Sequence, residues 1–340
     1  MKMRYVVMPT TDIRRNLATE QYLMQSNKIE LPFMLFYIQK PCIIVGRNQN
    51  TFEEINEAYC RKHQIVVTRR LSGGGAMYDD LGNLSFSFVV PADRRLFGDF
   101  KQLVAPVVTA LHAMGATGAA VTGRNDIVIA GKKFSGNAMY TKGGKTFCHG
   151  TLMFNVDLAE VTKALNVPAD KIASKGIKSV RSRVTNLMPY LDKQYQGITT
   201  ADFRDALILK ILKADSLQAM RQSEYHLDSE DEAQIEQLVA KYYANWDWVY
   251  GNSPQFTVKK RKHFKNGTID VRFLVEKGLI QEVTIYGDFF GTQPVSDLQA
   301  KLKGLPFKHA QLSAVLEGQH LDNYFAGIPQ EEVLALFTSE

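Results

Sequence analysis

Apolar positions along the chain follow two periods, an every-other-residue or continuous pattern in short runs and a three-to-four-residue spacing in longer ones, the signatures of strand and helix. Residues 4–8, 33–39, 42–45, 65–68, 84–90 and 147–156 are rich in Val, Ile, Phe and Tyr and read as strands. Residues 126–130 and 133–140 read as a hairpin whose turn includes Gly131 and Lys132. Helical spacing begins after Asp12, a side-chain cap, with Ile13, Leu17 and Met24 on one face and an end near Asn27. It returns over residues 52–62, 97–114, 200–214 and 229–246. Strands and helices do not alternate strictly, so the pattern predicts an α+β fold with a mixed, largely antiparallel sheet flanked by helices, not a doubly wound one.

The pattern then restarts. Gly251, Asn252, Ser253 and Pro254 form a breaker cluster, and strands follow over residues 256–264, 268–276 and 279–286, joined at Asn266-Gly267 and Lys277-Gly278, with short helices behind. This predicts a large domain over residues 1–246, a linker over 247–254 and a small α/β domain over 255–340. At 340 residues the chain exceeds the size at which one core stops growing, which also favours two domains. The basic run from Lys259 to His263 resembles a nucleic-acid patch, but on a strand its side chains alternate between faces, and a solvated edge strand explains it better. Residues 156–196 are polar and irregular, and Lys175, Lys178, Arg181 and Arg183 give residues 175–183 the look of a mobile cationic loop.

Composition adds bounds rather than a function. Hydrophobic content of 45% and charged content of 22% belong to a globular protein without low-complexity tracts. No run suits a signal peptide or a membrane span, so a cytoplasmic location is expected. Cys42, Cys60 and Cys148 are scattered, with neither zinc spacing nor an even disulfide set. A net charge of +6 favours acidic or polyanionic partners.

Candidate chemistry begins at Arg69, Arg70, Leu71, Ser72, Gly73, Gly74, Gly75, Ala76, Met77 and Tyr78, read as strand, bend and short strand. Three glycines suit either a flexible turn or close backbone approach to a ligand, and flanking arginines favour an anion-binding nest. The stretch is neither a Walker loop nor a dinucleotide fingerprint. A second stretch runs through Gly131, Lys132, Lys133, Phe134, Ser135, Gly136 and Asn137, followed by His149, Gly150 and Thr151. Alternation sets Lys133 on one face with Ser135 and Asn137, a polar row where a core-facing strand would be apolar, while Lys132 reads as a solvated edge charge. Asn125 and Asp126 suit either a magnesium ion shared with a phosphate or a structural turn.

These motifs, in this order and over essentially the whole chain, together with Arg181, Ser182, Arg183, Val184, Thr185 and Asn186, resemble the lipoate-protein ligases. The resemblance implies a catalytic domain of the kind shared with biotin ligases and class II aminoacyl-tRNA synthetases. It also implies activation of lipoate by ATP and Mg²⁺ to lipoyl-AMP, followed by transfer to a lysine. Arg70, Gly75, Ala76, Met77, Tyr78, Lys133, Lys175 and Arg183 would bind ATP or the adenylate. Ser72, Gly73, Gly74, Lys133, Ser135, Gly136, His149 and Gly150 would bind lipoate, Lys133 would be catalytic, and Asp126 would meet the metal. Acceptors would be lipoyl domains of 2-oxoacid dehydrogenase complexes or the glycine cleavage H protein. The C-terminal domain would be a separable module outside the site. One departure is Asp79, where many relatives carry histidine. Two other readings are a cysteine-dependent octanoyl or lipoyl transferase acting through Cys148, and a non-enzymatic nucleic-acid-binding protein.

Overall fold

A computed structural model describes residues 3–93, 95–123, 125–166, 184–250, 258–276 and 278–338. The large domain contributes β1 (Arg4–Val7), β2 (Phe33–Tyr37), β3 (Cys42–Val45), β4 (Val66–Arg69), β5 (Met77–Asp79) and β6 (Asn83–Pro91), then β7 (Ala120–Thr122), β8 (Asp126–Ile129), β9 (Lys132–Lys142) and β10 (Lys145–Met153). After residue 257 come β11 (Val258–Phe264), β12 (Gly267–Glu276) and β13 (Leu279–Gly287). Seven strands form one sheet in the order β1-β2-β6-β10-β9-β8-β7, and β4-β3-β5 form a second, smaller one. Only β1–β2 and β3–β4 pair in parallel among these, so the sheets are mixed and largely antiparallel, as the pattern predicts.

Period-two alternation divides the large sheet into two faces. Met34, Phe36, Leu84, Phe86, Cys148 and Leu152 pack toward the helices Phe100–His112 and Thr200–Leu212, where Phe154 stacks on Phe203 with ring centroids 4.4 Å apart. Each fully buried phenylalanine there contributes roughly 1.5–3 kcal/mol. The opposite face carries Phe33, Leu35, Tyr37, Val89 and Phe147 beneath the helix Ile13–Gln25. That face also holds buried Ser85, Ser87, His149 and Thr151, polar residues in an otherwise apolar layer, and the site lies there.

Several elements differ from the sequence expectation. The helix expected over residues 52–62 is two, Thr51–Glu54 and Glu57–Lys62, because Ile55 turns away to bridge Leu165 and Asn56 caps the second through Tyr59 N. The helix expected over 229–246 starts from a reciprocal cap of Asp228 and Asp231, ends at Leu238, and widens into a π turn over Val239–Tyr243. The β8–β9 turn is Ala130-Gly131, both at positive φ, one residue earlier than expected. β7 was not predicted; its three residues are too few for a periodic signal.

The small domain is an antiparallel β11-β12-β13 sheet packed on the helices Val295–Leu302, His309–Glu317 and Gln330–Thr338 around Phe273, Phe325 and Phe337. The basic run lies on β11, an edge strand of that sheet, with Lys262 paired to Glu332 at 3.0 Å. The small domain touches the large one through Arg272 on Glu53 at 2.7 Å, Gly287 N donating to Asn48 O at 2.5 Å, and Phe290 against Phe100 with centroids 5.7 Å apart. The expected breaker cluster at Gly251 to Pro254 and the cationic residues 175–183 lie outside the described residues. No helix among the described residues is long and apolar enough to cross a membrane.

Candidate active site

A cleft of about 530 Å³ opens between the small sheet, the β8–β9 hairpin and the polar part of the large sheet. Its walls include Arg70, Gly74, Gly75, Ala76, Met77 and Tyr78 from the glycine stretch, and Asp126, Lys133 and Gly136 from the hairpin. His149 and Gly150 reach it from β10. The two stretches singled out in the sequence, more than fifty positions apart, therefore face one space. Of the remaining sequence candidates, Ser72, Gly73 and Ser135 do not line the cleft, and Lys175 and Arg183 lie outside the described residues.

The glycine stretch is held in shape from behind. Arg69 donates to the carbonyls of Gly46, Arg47, Gln49, Trp248 and Val249 and to Thr51 Oγ1, so its whole fork serves the fold. Arg70 donates to Gly73 O at 2.7 Å, Gly75 O at 2.8 Å, Ile44 O at 3.2 Å and Ser72 Oγ at 3.0 Å. Burial pulls both guanidinium pKa values down to about 10, leaving them cationic at neutral pH. Arg70 thus ties down the carbonyls of the loop whose residues Gly74 and Gly75 line the cleft. Each glycine answers a different demand. A side chain on Gly73 would meet Phe289 O at 2.3 Å, Gly74 has φ +93°, and Gly75 has nothing within 4 Å on the side a Cβ would occupy.

Lys133 stands at the mouth. Its Nζ is 2.7 Å from Asp126 Oδ1, and both side chains remain more than a third exposed. The pair is worth little as a stabiliser and leaves the ammonium available to an incoming anion. A bulge between β8 and β9 breaks the simple alternation: Val128 pairs with Lys133 and Ile127 with Ser135, leaving Phe134 as the extra residue. Lys133 therefore reaches the cleft with Gly136 and Asn137, while Ser135 is fully buried behind them, and the expected polar row is split. Asn137 and Asn125 exchange side-chain amide bonds to each other's carbonyls at 3.0 and 2.6 Å, fixing the two strands. Thr185 N donates to Lys133 O at 2.9 Å, so the chain leaving residues 175–183 arrives beside Lys133.

Deeper in, Ser72 Oγ is 2.7 Å from His149 Nε2, and His149 Nδ1 is 2.9 Å from Glu20 Oε2. With Arg70 Nε donating to Ser72, the bonds run Arg70 to Ser72 to His149 to Glu20 when the imidazole is neutral with its proton on Nδ1. Ser72 is buried, so this relay positions His149 and the glycine stretch and offers no exposed nucleophile. Leu17, Tyr37, Ser85, Thr151 and Met153 also line the cleft. Thr151 belongs to the second stretch singled out in the sequence and Leu17 was read only as a helix-face position, whereas Tyr37, Ser85, Met153 and Glu20 were not picked out by sequence reasoning. The available signals were a carboxylate three residues after Leu17 on a helix otherwise buried on that face, and two serines in the apolar strand β6.

Cys148 faces the other way. It is fully buried in the core beside Phe86 and Leu152, and burial pushes its thiol well above the ordinary range. A buried, protonated thiol on the far face of β10 gives no support to thiolate chemistry. Asp79 is buried in the cleft wall, and burial lifts its carboxyl from 3.8 to about 7 despite the attraction of Arg70. The substitution for histidine therefore brings less negative charge than the sequence suggests.

Residues 12–212 match the lipoyl protein ligase A/B catalytic domain and residues 253–337 the bacterial lipoate protein ligase C-terminus. The chain is 45% identical to lipoate-protein ligase LplJ of Bacillus subtilis, covering 96% of each chain. It is 40% identical to lipoate–protein ligase 1 of Staphylococcus aureus, covering 96% of this chain and 97% of that one. Among solved structures, P. falciparum LipL1 in complex with lipoate superposes with a TM-score of 0.79 over 99% of both chains at 23% identity, which shows a shared fold. A lipoate-protein ligase A bound with ATP gives 0.59 at 25% identity, covering 74% of this chain and 99% of that one. Sequence and fold agree over both domains, and the chain belongs to the lipoate-protein ligase family as one of its enzymes.

Proposed function

We propose that the protein uses ATP to activate lipoate as lipoyl-AMP and then transfers the lipoyl group to a lysine of an acceptor protein in the cytoplasm. The observation that carries this reading is one cleft that brings the glycine stretch and the half-buried cation of Lys133 together with the apolar side chains of Leu17, Tyr37 and Met153 in its lining. Such a cleft matches a molecule with a polyanion at one end and an apolar chain at the other. Residues 1–246 would perform the chemistry, 247–254 would link, and 255–340 would cover the glycine stretch.

In the first step a lipoate carboxylate oxygen attacks the α-phosphorus of ATP, the bond to the β-phosphate bridging oxygen breaks, and pyrophosphate departs. Lys133 pairs with the carboxylate before reaction and with the α-phosphoryl oxygens as charge gathers there, while the loop N–H groups between Gly74 and Tyr78 hold phosphate oxygens. The carboxylate of Asp126, beside Lys133, fits Mg²⁺, which needs only one or two protein oxygens besides phosphate and water and would neutralise phosphate charge. Lys175 and Arg183 would contact the adenylate. In the second step the acceptor amine attacks the acyl carbon, AMP leaves, and the nitrogen loses a proton. At a reference pKa of about 10.4, about one lysine in 2,500 is neutral at pH 7, so the cleft must favour the neutral amine.

The net charge of +6 suits an acidic acceptor, such as a lipoyl domain of a 2-oxoacid dehydrogenase complex or the glycine cleavage H protein. Mass spectrometry of a purified lipoyl domain incubated with the protein, lipoate and ATP tests the reading. One lipoyl mass increment that requires ATP is expected, and an increment that forms equally without ATP refutes it.

A further inference from the structure

The cleft wall contains a carboxyl group that the phosphate chemistry does not use. Asp79 is 1% exposed, and its Oδ2 accepts from Gln39 Nε2 and from Ser85 Oγ at 3.3 Å. Ser85 Oγ itself accepts from Gln39 Nε2 at 3.0 Å and from Asn83 Nδ2 at 3.2 Å. The donors end there. Gln39 Oε1 and Asn83 Oδ1 are buried acceptors with no donor among the described residues. An ionised Asp79 adds acceptors to a cluster already short of donors, whereas a carboxylic acid adds the missing O–H.

The surrounding charges do not reverse this. The bonds from Gln39 and Ser85 favour the anion, and Arg70 does so more weakly, its fork being bonded to loop carbonyls; Asp80, the residue after the strand, opposes it. Tyr37 on β2 and Cys42 on β3 face the carboxyl from the neighbouring strands, and burial pushes both well above neutrality, so neither is charged. Glu20, from the helix Ile13–Gln25, is paired with His149. Burial is the largest influence and places the acid near half-ionisation at neutral pH in the free protein.

We propose that Asp79 holds a proton whenever an acyl chain fills the cleft, so that acyl binding is coupled to proton uptake and a neutral cleft wall selects carboxylic acids with apolar tails. The proposal rests on the acyl-binding role of the cleft given above. A chain entering the cleft displaces water that would solvate the anion, so protonation and binding favour each other. Unprotonated, the same wall would set a charge against the chain.

Calorimetric titration of the full-length protein with lipoate, in buffers of different ionisation enthalpy, counts the protons taken up. The wild-type protein should take up almost none at about pH 6, where Asp79 is already neutral, and approach one at about pH 8. Its affinity should fall toward about tenfold per pH unit above neutrality, while Asp79→Asn takes up none at either pH and keeps a flat affinity. Should that variant fail to fold, Ser85→Ala retains the carboxyl but removes a donor to its anion, and should move the uptake to higher pH. Equal proton counts in wild type and Asp79→Asn, or no displacement in Ser85→Ala, would overturn the proposal. Absence of any lipoate binding by the wild-type protein would instead overturn the acyl-binding role of the cleft.

Discussion

Lys133 and Asp79 show how one cleft handles two opposite electrostatic tasks. Lys133 is half-buried and, among the described residues, paired with Asp126, so its charge lies on the cleft wall; Asp79 is enclosed and tends toward neutrality. Lys133→Ala is expected to cut the rate of lipoate activation by about a hundredfold to a thousandfold, roughly 2.7–4 kcal/mol, with little change in melting temperature. Lys133→Arg should not restore it, because a planar fork cannot place one compact charge between two oxygens on different groups. Lys132→Ala, on the exposed side of the same turn, should be nearly normal. Equal losses at the two lysines in a single-turnover assay would refute the assignment. Asp79 makes a prediction about stability. Its folded pKa of about 7 lies above the 3.8 of an ordinary aspartate, so the folded state holds the proton more tightly and stability is lost as pH rises from about 4 through about 7. Asp79→Asn should therefore be more stable than wild type above pH 7, by up to about 4 kcal/mol, with the difference vanishing near pH 4; denaturant melts across that range decide it. The place of Lys133 on the cleft wall was foreshadowed in the sequence because its glycine-rich neighbours are local. Glu20 and Tyr37 were not, because the place of Glu20 beside His149 depends on how the first helix crosses the sheet and that of Tyr37 near Arg70 on how the two sheets meet.

At the scale of elements, the glycine stretch behaves as three different positions. Gly73→Ala forces a methyl group into Phe289 O and should destabilise the protein by about 1–3 kcal/mol, whereas Gly75→Ala meets open space and should change stability by no more than about 0.5 kcal/mol. Gly75→Ala should still slow activation, since the methyl group stands in the cleft. Comparable melting points for the two variants would show that the Gly73 contact carries no weight. The strand before these glycines was readable from its β-branched run over residues 65–68, and the short strand after them from its place between the glycines and the Asp80-Leu81-Gly82-Asn83 turn. The broken helix at Ile55 and the bulge at Phe134 were not. The first responds to a partner far along the chain, Leu165, and the second to the register in which β8 pairs with β9. Local periodicity contains no information about either.

For the whole molecule, the division into two domains was visible as a restart of the apolar pattern, but their contact was not. The sequence expectation that the C-terminal domain stands apart from the site needs correction at one place: Phe289 and Phe290 close over Gly73 and Gly74, and Phe290 joins the core around Phe100. A chain ending at Asn252 should still bind lipoate, since the cleft lining described above precedes that point. It should unfold at lower denaturant, by an amount comparable to removing a buried phenylalanine, about 3–5 kcal/mol. An unchanged midpoint would show that the interface contributes nothing to the large domain. The central claim, that this cleft forms an acyl adenylate, is tested most directly by ATP–pyrophosphate exchange on the full-length protein. Exchange that appears only when lipoate is added, without any acceptor protein, is the predicted result; a folded protein that transfers the lipoyl group yet shows no lipoate-dependent exchange would contradict it.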